Sequence, residues 1–215
     1  IIRFMIKYLT IAPNTFTWTQ EIQKSRFILN LARIDSEESA RAFIDHISKT
    51  HYKANHNVFA YVLGNNDDIK RYSDNGEPSG TVGITMLAVL QKNEVHDVVA
   101  VVTRYFGGTK LGAGGLIRAY AGTVAEGIKA AGLVARLTQL RVTITIDYKN
   151  SDILTYWLTN HDYKIIATQY DVSVHTTVPV SASVVPEFQT EVNNLLDGHA
   201  TFQIGEETFF EIPVK

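Results

Sequence analysis

The 215-residue chain contains no cysteine. That absence excludes a disulfide framework, a thiolate zinc site, an iron–sulfur cluster and a cysteine nucleophile, and it fits a reducing compartment, so the cytoplasm is the expected location. Also missing is any uninterrupted apolar run of membrane-spanning length. The opening residues 1–11 are apolar, but Arg3, Lys7 and Tyr8 interrupt them and no small-residue cleavage site follows, so the expectation is a chain neither exported nor embedded in a membrane. Met5 followed by Ile6-Lys7-Tyr8 reads as a native start, which makes residues 1–4 an extension. No G-x-x-x-x-G-K-[ST] can be aligned, and no G-x-S-x-G elbow is present, so ATP-binding and hydrolase readings have no anchor.

What is present has the balance of a globular protein, with 45% hydrophobic and 20% charged residues. The length fits one large or two small domains, and a charge asymmetry favours two. Residues 1–138 carry 16 Lys and Arg against 12 Asp and Glu, whereas residues 139–215 carry 4 against 10. A polyanion is therefore expected to approach the first half, and the second half to repel it. The expected domains are 1–138 and 139–215, joined by a short segment, 133–139, that predicts packed or semi-rigid units.

Residues 25–32 (SRFILNLA) read as a strand after a polar stretch, and Ser36-Glu37-Glu38 as the capped start of a helix. Ala40, Phe43, Ile44 and Ile47 mark one buried face of that helix, ending near Lys49. Residues 58–63 predict a strand, 64–80 a long exposed loop rich in turn formers, and 81–91 a helix. Residues 98–102 (VVAVV) have the pattern of a strand buried on both faces at the centre of a sheet. A glycine turn over 107–115 and a helix over 116–131, stopped at Gly132, complete the first half. Strands over 140–147, 163–167, 170–180 and 208–212, with helices over 151–160 and 187–196, give a β-α-β-β-α-β order, the split pattern of a ferredoxin-like sandwich.

The most unusual stretch is 104–120 (RYFGGTKLGAGGLIRAY), with five glycines in the nine positions 107–115. Backbone amides bared by such a segment at a helix amino end can cradle an anion, and Arg104, Lys110 and Arg118 add three cations with no acid between Asp97 and Glu126. The bland alternative is that the glycines only permit tight packing of helix on strand. The G-x-G-x-x-G spacing fails because Ile117 stands where the third glycine belongs. In 73–81 (SDNGEPSGT), Asp74 and Glu77 are near enough to hold a divalent cation, but the rest of a calcium loop is missing and a structured turn capping the next helix is the simpler reading. His46, His51 and His56 recur every five residues, which turns neighbours by about 140° on a helix and to opposite faces on a strand, so no metal site is expected from them.

Residues 25–28 (SRFI), 54–56 (ANH), 74–81 (DNGEPSGT) and 104–120 together resemble the YigZ/IMPACT family over most of the chain. The resemblance implies an α+β protein: a first domain with the βαβ fold shared by a small-subunit ribosomal protein and domain IV of elongation factor G, and a ferredoxin-like βαββαβ second domain similar to that factor's domain V. It places the family's signature on Arg104, Gly107, Gly108, Lys110, Gly112, Gly114, Gly115 and Arg118, with a second candidate group at Asp74, Gly76, Glu77, Pro78 and His56. The family usually has Asp where this chain has Asn75 and a Pro near Thr85. No established reaction comes with the resemblance. Its eukaryotic relatives act through protein contacts in translational stress control, and its bacterial branch looks like a translation or nucleic-acid accessory.

The expected function is thus non-enzymatic binding, without cofactor or metal, of RNA or a ribosome-associated surface. The alternatives are a protein-interaction module for a translation-related partner and an enzyme on a phosphorylated small molecule using Asp74 or Glu77. Cations tied into internal ion pairs would move the protein-interaction reading ahead.

Overall fold

The computed structural model describes residues 6–214, so the start assigned to Met5 and the extension before it lie outside the described residues. In chain order the elements are β1 (Ile6–Ile11), β2 (Phe16–Ile22), β3 (Ser25–Arg33), α1 (Glu37–Thr50), β4 (His56–Leu63), β5 (Ile69–Ser73), α2 (Val82–Lys92), β6 (Val98–Tyr105), α3 (Gly112–Ala131), β7 (Leu133–Ile146), α4 (Ser151–Asn160), β8 (Ala167–Tyr170), β9 (Val174–Val180), α5 (Val185–Leu195) and β10 (Thr201–Val214). The protein is α+β. Among the described residues one unit gathers 7–135 and 212–214, and the other 136–211 and residue 6.

In the first unit five antiparallel strands run in the order β2-β3-β6-β4-β5. β6 lies at the centre because its apolar β-branched residues alternate between two cores. Val98, Ala100 and Val102 face a cluster closed by Val82, Met86 and Leu90 of α2 and Leu116, Tyr120, Val124 and Ile128 of α3. Val99 and Val101 face Ala40 and Ile47 of α1. α1 starts where Ser36 accepts the Ser39 amide and the Ser39 hydroxyl accepts the Ser36 amide in return, a reciprocal cap.

Three expectations change in this unit. The loop expected over 64–80 contains β5, which pairs with β4 from Leu63↔Ile69 to Phe59↔Ser73. Its Lys70, Arg71 and Tyr72 are exposed, so this edge strand has no apolar run to announce it, and the remaining loop is 74–81. The polar stretch before β3 contains β2, an edge strand whose half-buried Phe16, Trp18 and Ile22 alternate with exposed Thr17, Thr19 and Glu21. Finally, α3 begins at Gly112 instead of residue 116, so Gly112, Gly114 and Gly115 form its first turn.

In the second unit β9 lies between β7 and β8, and β10 pairs with β7, which gives the order β10-β7-β9-β8 of a ferredoxin-like sheet. Val142, Ile144 and Ile146 share their core with Leu154 and Leu158 of α4 and Phe188 and Val192 of α5. The strands expected over 163–167 and 170–180 are shifted. Residues 163–166 lie outside any strand, with Tyr163 packed against Trp157 and Phe188, and the hairpin turns at Asp171, whose carboxylate accepts the Ser173 amide at 2.8 Å. β10 is also longer than expected, because Gly205 and Pro213 sit within it without ending it. Among the described residues no helix is long and apolar enough to cross a membrane.

Candidate anion-binding site

The site forms where β6 ends. In the ladder Arg104 of β6 stands opposite His56 of β4, and the chain on either side is pinned: the Asn55 amide donates to the Arg104 carbonyl at 3.0 Å, and the Phe106 amide to Asn55 Oδ1 at 2.8 Å. Gly107 then passes so close to the preceding hairpin that a Cβ there would lie 1.9 Å from the Lys24 carbonyl oxygen. At Gly107 glycine therefore serves close packing, but of this loop on the β2–β3 turn and not of helix on strand. Gly108 and Gly112 differ, since each has a positive φ, 87° and 69°, and open space where a Cβ would stand.

Opposite Arg104 the 74–81 loop folds inward. Asp74 Oδ1 accepts the amides of Val82 and Gly83 at 3.0 and 2.8 Å, and its Oδ2 accepts the Gly80 amide at 2.7 Å. It thereby caps α2 from outside the helix, where the nearer Thr81 makes no side-chain cap bond. Asn75, with φ +46°, accepts the Asn57 amide through Oδ1 at 2.7 Å, a bond to an acceptor that the family's usual Asp also has. Gly76 follows with φ 85°, and a Cβ there would come within 3.3 Å of the His56 ring.

This turn delivers Glu77 to the interior. Its Oε1 accepts from Arg104 Nη1 at 2.7 Å and from the Tyr120 hydroxyl at 3.0 Å, and His56 Nε2 lies 3.8 Å away. The Glu77 and Arg104 side chains are only 4% and 7% exposed. Tyr120 is fully buried, edge-on to Phe27, and burial, followed by the Glu77 charge and its hydrogen bond, holds the phenol far above the usual tyrosine range. It stays neutral and donates. His56 directs Nδ1 at the Asn75 carbonyl, 2.9 Å away. Asp74, Glu77 and His56 form no metal-holding group among the described residues.

On the outer side of Arg104 a cavity of about 430 Å³ opens beneath the amino end of α3. His56, Pro78, Arg104, Phe106, Lys110 and Gly112 are among its walls, and no Asp or Glu is. Leu111, at the helix N-cap, makes no side-chain cap bond, so the first amides of α3 have no local acceptor there. Arg104 spends Nη1 on Glu77, while its buried Nε has no acceptor. Lys110 and Arg118 are exposed and pair with no acid among the described residues; Arg118 stands six residues past Gly112 along α3, outside the cavity, its Nη1 3.6 Å from where a Gly114 Cβ would be.

The three cations read from the sequence thus divide: Arg104 is tied internally, and Lys110 and Arg118 are free. Gly108, Gly112 and Gly114 are exposed near them, Gly115 packs on Leu111, Glu77 backs Arg104, His56 lines the cavity with Gly76 close to its ring, and Asp74 is taken up in capping α2. Sequence reasoning missed Tyr120 and Phe106, although both lie inside the stretch it singled out. An aromatic beside a cation at a strand end was the available signal for Phe106.

Residues 23–128 match the Impact N-terminal domain, and 144–199 match a domain of unknown function, DUF1949. The IMPACT family member YvyE of Bacillus subtilis (strain 168) is 41% identical over 194 residues, covering 90% of this chain and 89% of that protein. This chain belongs to the IMPACT family. The family member YigZ of Escherichia coli (strain K12) is 36% identical, covering 85% of this chain and 90% of its own length. A crystal structure of a hypothetical protein, 33% identical, covers 93% of this chain and 97% of its own with a TM-score of 0.58. All residues of the candidate site fall within the Impact N-terminal match.

Proposed function

We propose that this IMPACT family protein is a non-enzymatic binding protein associated with translation, and that it contacts RNA, free or on a ribosome-associated surface, through Lys110, Arg118 and the amides that open α3. The observation that supports this most is the acid-free cavity at the uncapped start of α3, beside two unpaired cations. Negative oxygens find there amide donors, a helix dipole and positive charge with no competing carboxylate. Arg104 contributes differently. With its charge set against Glu77, it forms the wall of the site rather than its attracting charge.

Fluorescence anisotropy with a structured RNA over a series of salt concentrations tests the reading. Binding should weaken steeply with salt, and Lys110→Ala with Arg118→Ala should weaken it at least tenfold and flatten the salt slope. No binding in dilute buffer, or binding indifferent to both substitutions, overturns the proposal.

The protein-interaction reading keeps specific support in the internal commitment of Arg104 and in an apolar hollow of the second unit, lined by exposed Ile153 and Tyr156 of α4 together with Trp157. A pull-down that recovers a defined translation-related protein after nuclease treatment, and loses it on Tyr156→Ala, favours that reading.

A further inference from the structure

Resting on the RNA reading, we infer that the cavity takes one unpaired nucleotide, its base stacked on Phe106 and its phosphate at the start of α3 beside Lys110. Phe106 is 46% exposed and lines the cavity together with Arg104 and Lys110. Nor is the ring loosely placed. Its amide is held by Asn55 Oδ1, and the Arg104 guanidinium lies 5.6 Å from its centroid. Arg104 is more than nine-tenths buried, is fixed by Glu77, keeps a buried Nε without an acceptor and lines the cavity, so a rigid guanidinium wall and an aromatic ring border the same space.

The walls have two characters. Lys110 and Gly112 at the helix start suit a phosphate, whereas Pro78, Phe106, Leu111 and Leu116 suit the face of a base and would be wasted on an inorganic anion. A volume of about 430 Å³ lies in the range of small-ligand sites. A duplex, which keeps its bases stacked inside, cannot fill it. The ligand is therefore a single-stranded segment or loop, read through one splayed base.

Anisotropy of the full chain with a labelled mixed-sequence single strand, a duplex of equal length and a polyphosphate chain separates the possibilities. The single strand should bind about tenfold more tightly than the duplex at equal salt. Phe106→Ala should cost the single strand about 5- to 150-fold, the effect of one lost base–aromatic stack, while leaving polyphosphate affinity and the salt slope unchanged. Phe106→Trp should restore binding, with indole fluorescence quenched on addition of the strand. If Phe106→Ala, folded as judged by its unfolding midpoint, binds the single strand as wild type does while the Lys110 and Arg118 substitutions abolish binding, this inference fails and the RNA reading stands. If none of the three probes binds, both fail.

Discussion

Arg104 and Lys110 border the same cavity, six residues apart, and do opposite things. Arg104 is sealed on the carboxylate of Glu77, 27 residues away, whose Oε1 also accepts from Tyr120, 43 residues from Glu77; Lys110 stands in solvent and pairs with no acid among the described residues. Charge count alone made them equivalent. Burial separates them: a guanidinium removed from water requires a partner that remains with it, whereas an exposed ammonium stays available.

The largest effect should come from breaking the sealed half. Glu77→Ala leaves the Arg104 charge buried and unpaired and should cost about 3–5 kcal/mol in urea unfolding. Gly107→Ala, which forces a Cβ against the Lys24 carbonyl, should follow at about 1–3 kcal/mol, while Gly108→Ala, strained only through its positive φ, should cost about 1–2 kcal/mol.

Tyr120→Phe should cost about 1–2 kcal/mol at neutral pH, because Glu77 loses a buried donor. Its pH dependence has a definite sign. An unfolded tyrosine titrates near 10, and the folded Tyr120 keeps its proton well above that, so its contribution is complete below about pH 10 and declines as pH rises further. The variant should accordingly lose less stability than wild type between about pH 10 and 11; what loss remains falls partly to Tyr61 and Tyr163, both raised chiefly by burial. Smallest on stability is the open half. Lys110→Ala with Arg118→Ala should shift unfolding by no more than about 0.5 kcal/mol. A loss as large as that of Glu77→Ala would erase the distinction between the two halves.

The framework of the first unit could be read from residues 98–102, since a β-branched run without polar interruption has no solvent face, and α1 from its apolar spacing and Ser36. Edge strands were harder: β2 shows one face to water and β5 exposes three residues in a row, so polarity hid β2 and neighbouring turn formers absorbed β5. The glycines of 107–115 looked like one turn because glycine serves turns, close packing and helix starts alike, and only the folded structure separates Gly107, pressed on the Lys24 carbonyl, from Gly112, with its positive φ and open surroundings. The candidate site was half legible. Its stretch of chain and its free cations stood out, whereas the partnership of Arg104 with Glu77 is a consequence of sheet register, with β6 against β4 and the 74–81 loop folded over both, and no local pattern encodes it.

The most direct test of the account is the salt dependence of RNA binding by the full chain, wild type against the Lys110→Ala, Arg118→Ala double variant. The account predicts unchanged folding, weaker binding and a logarithmic salt slope reduced by about 1.4 to 1.8, as follows when two phosphates are no longer neutralised. Identical affinity and identical slope in the two proteins would contradict it.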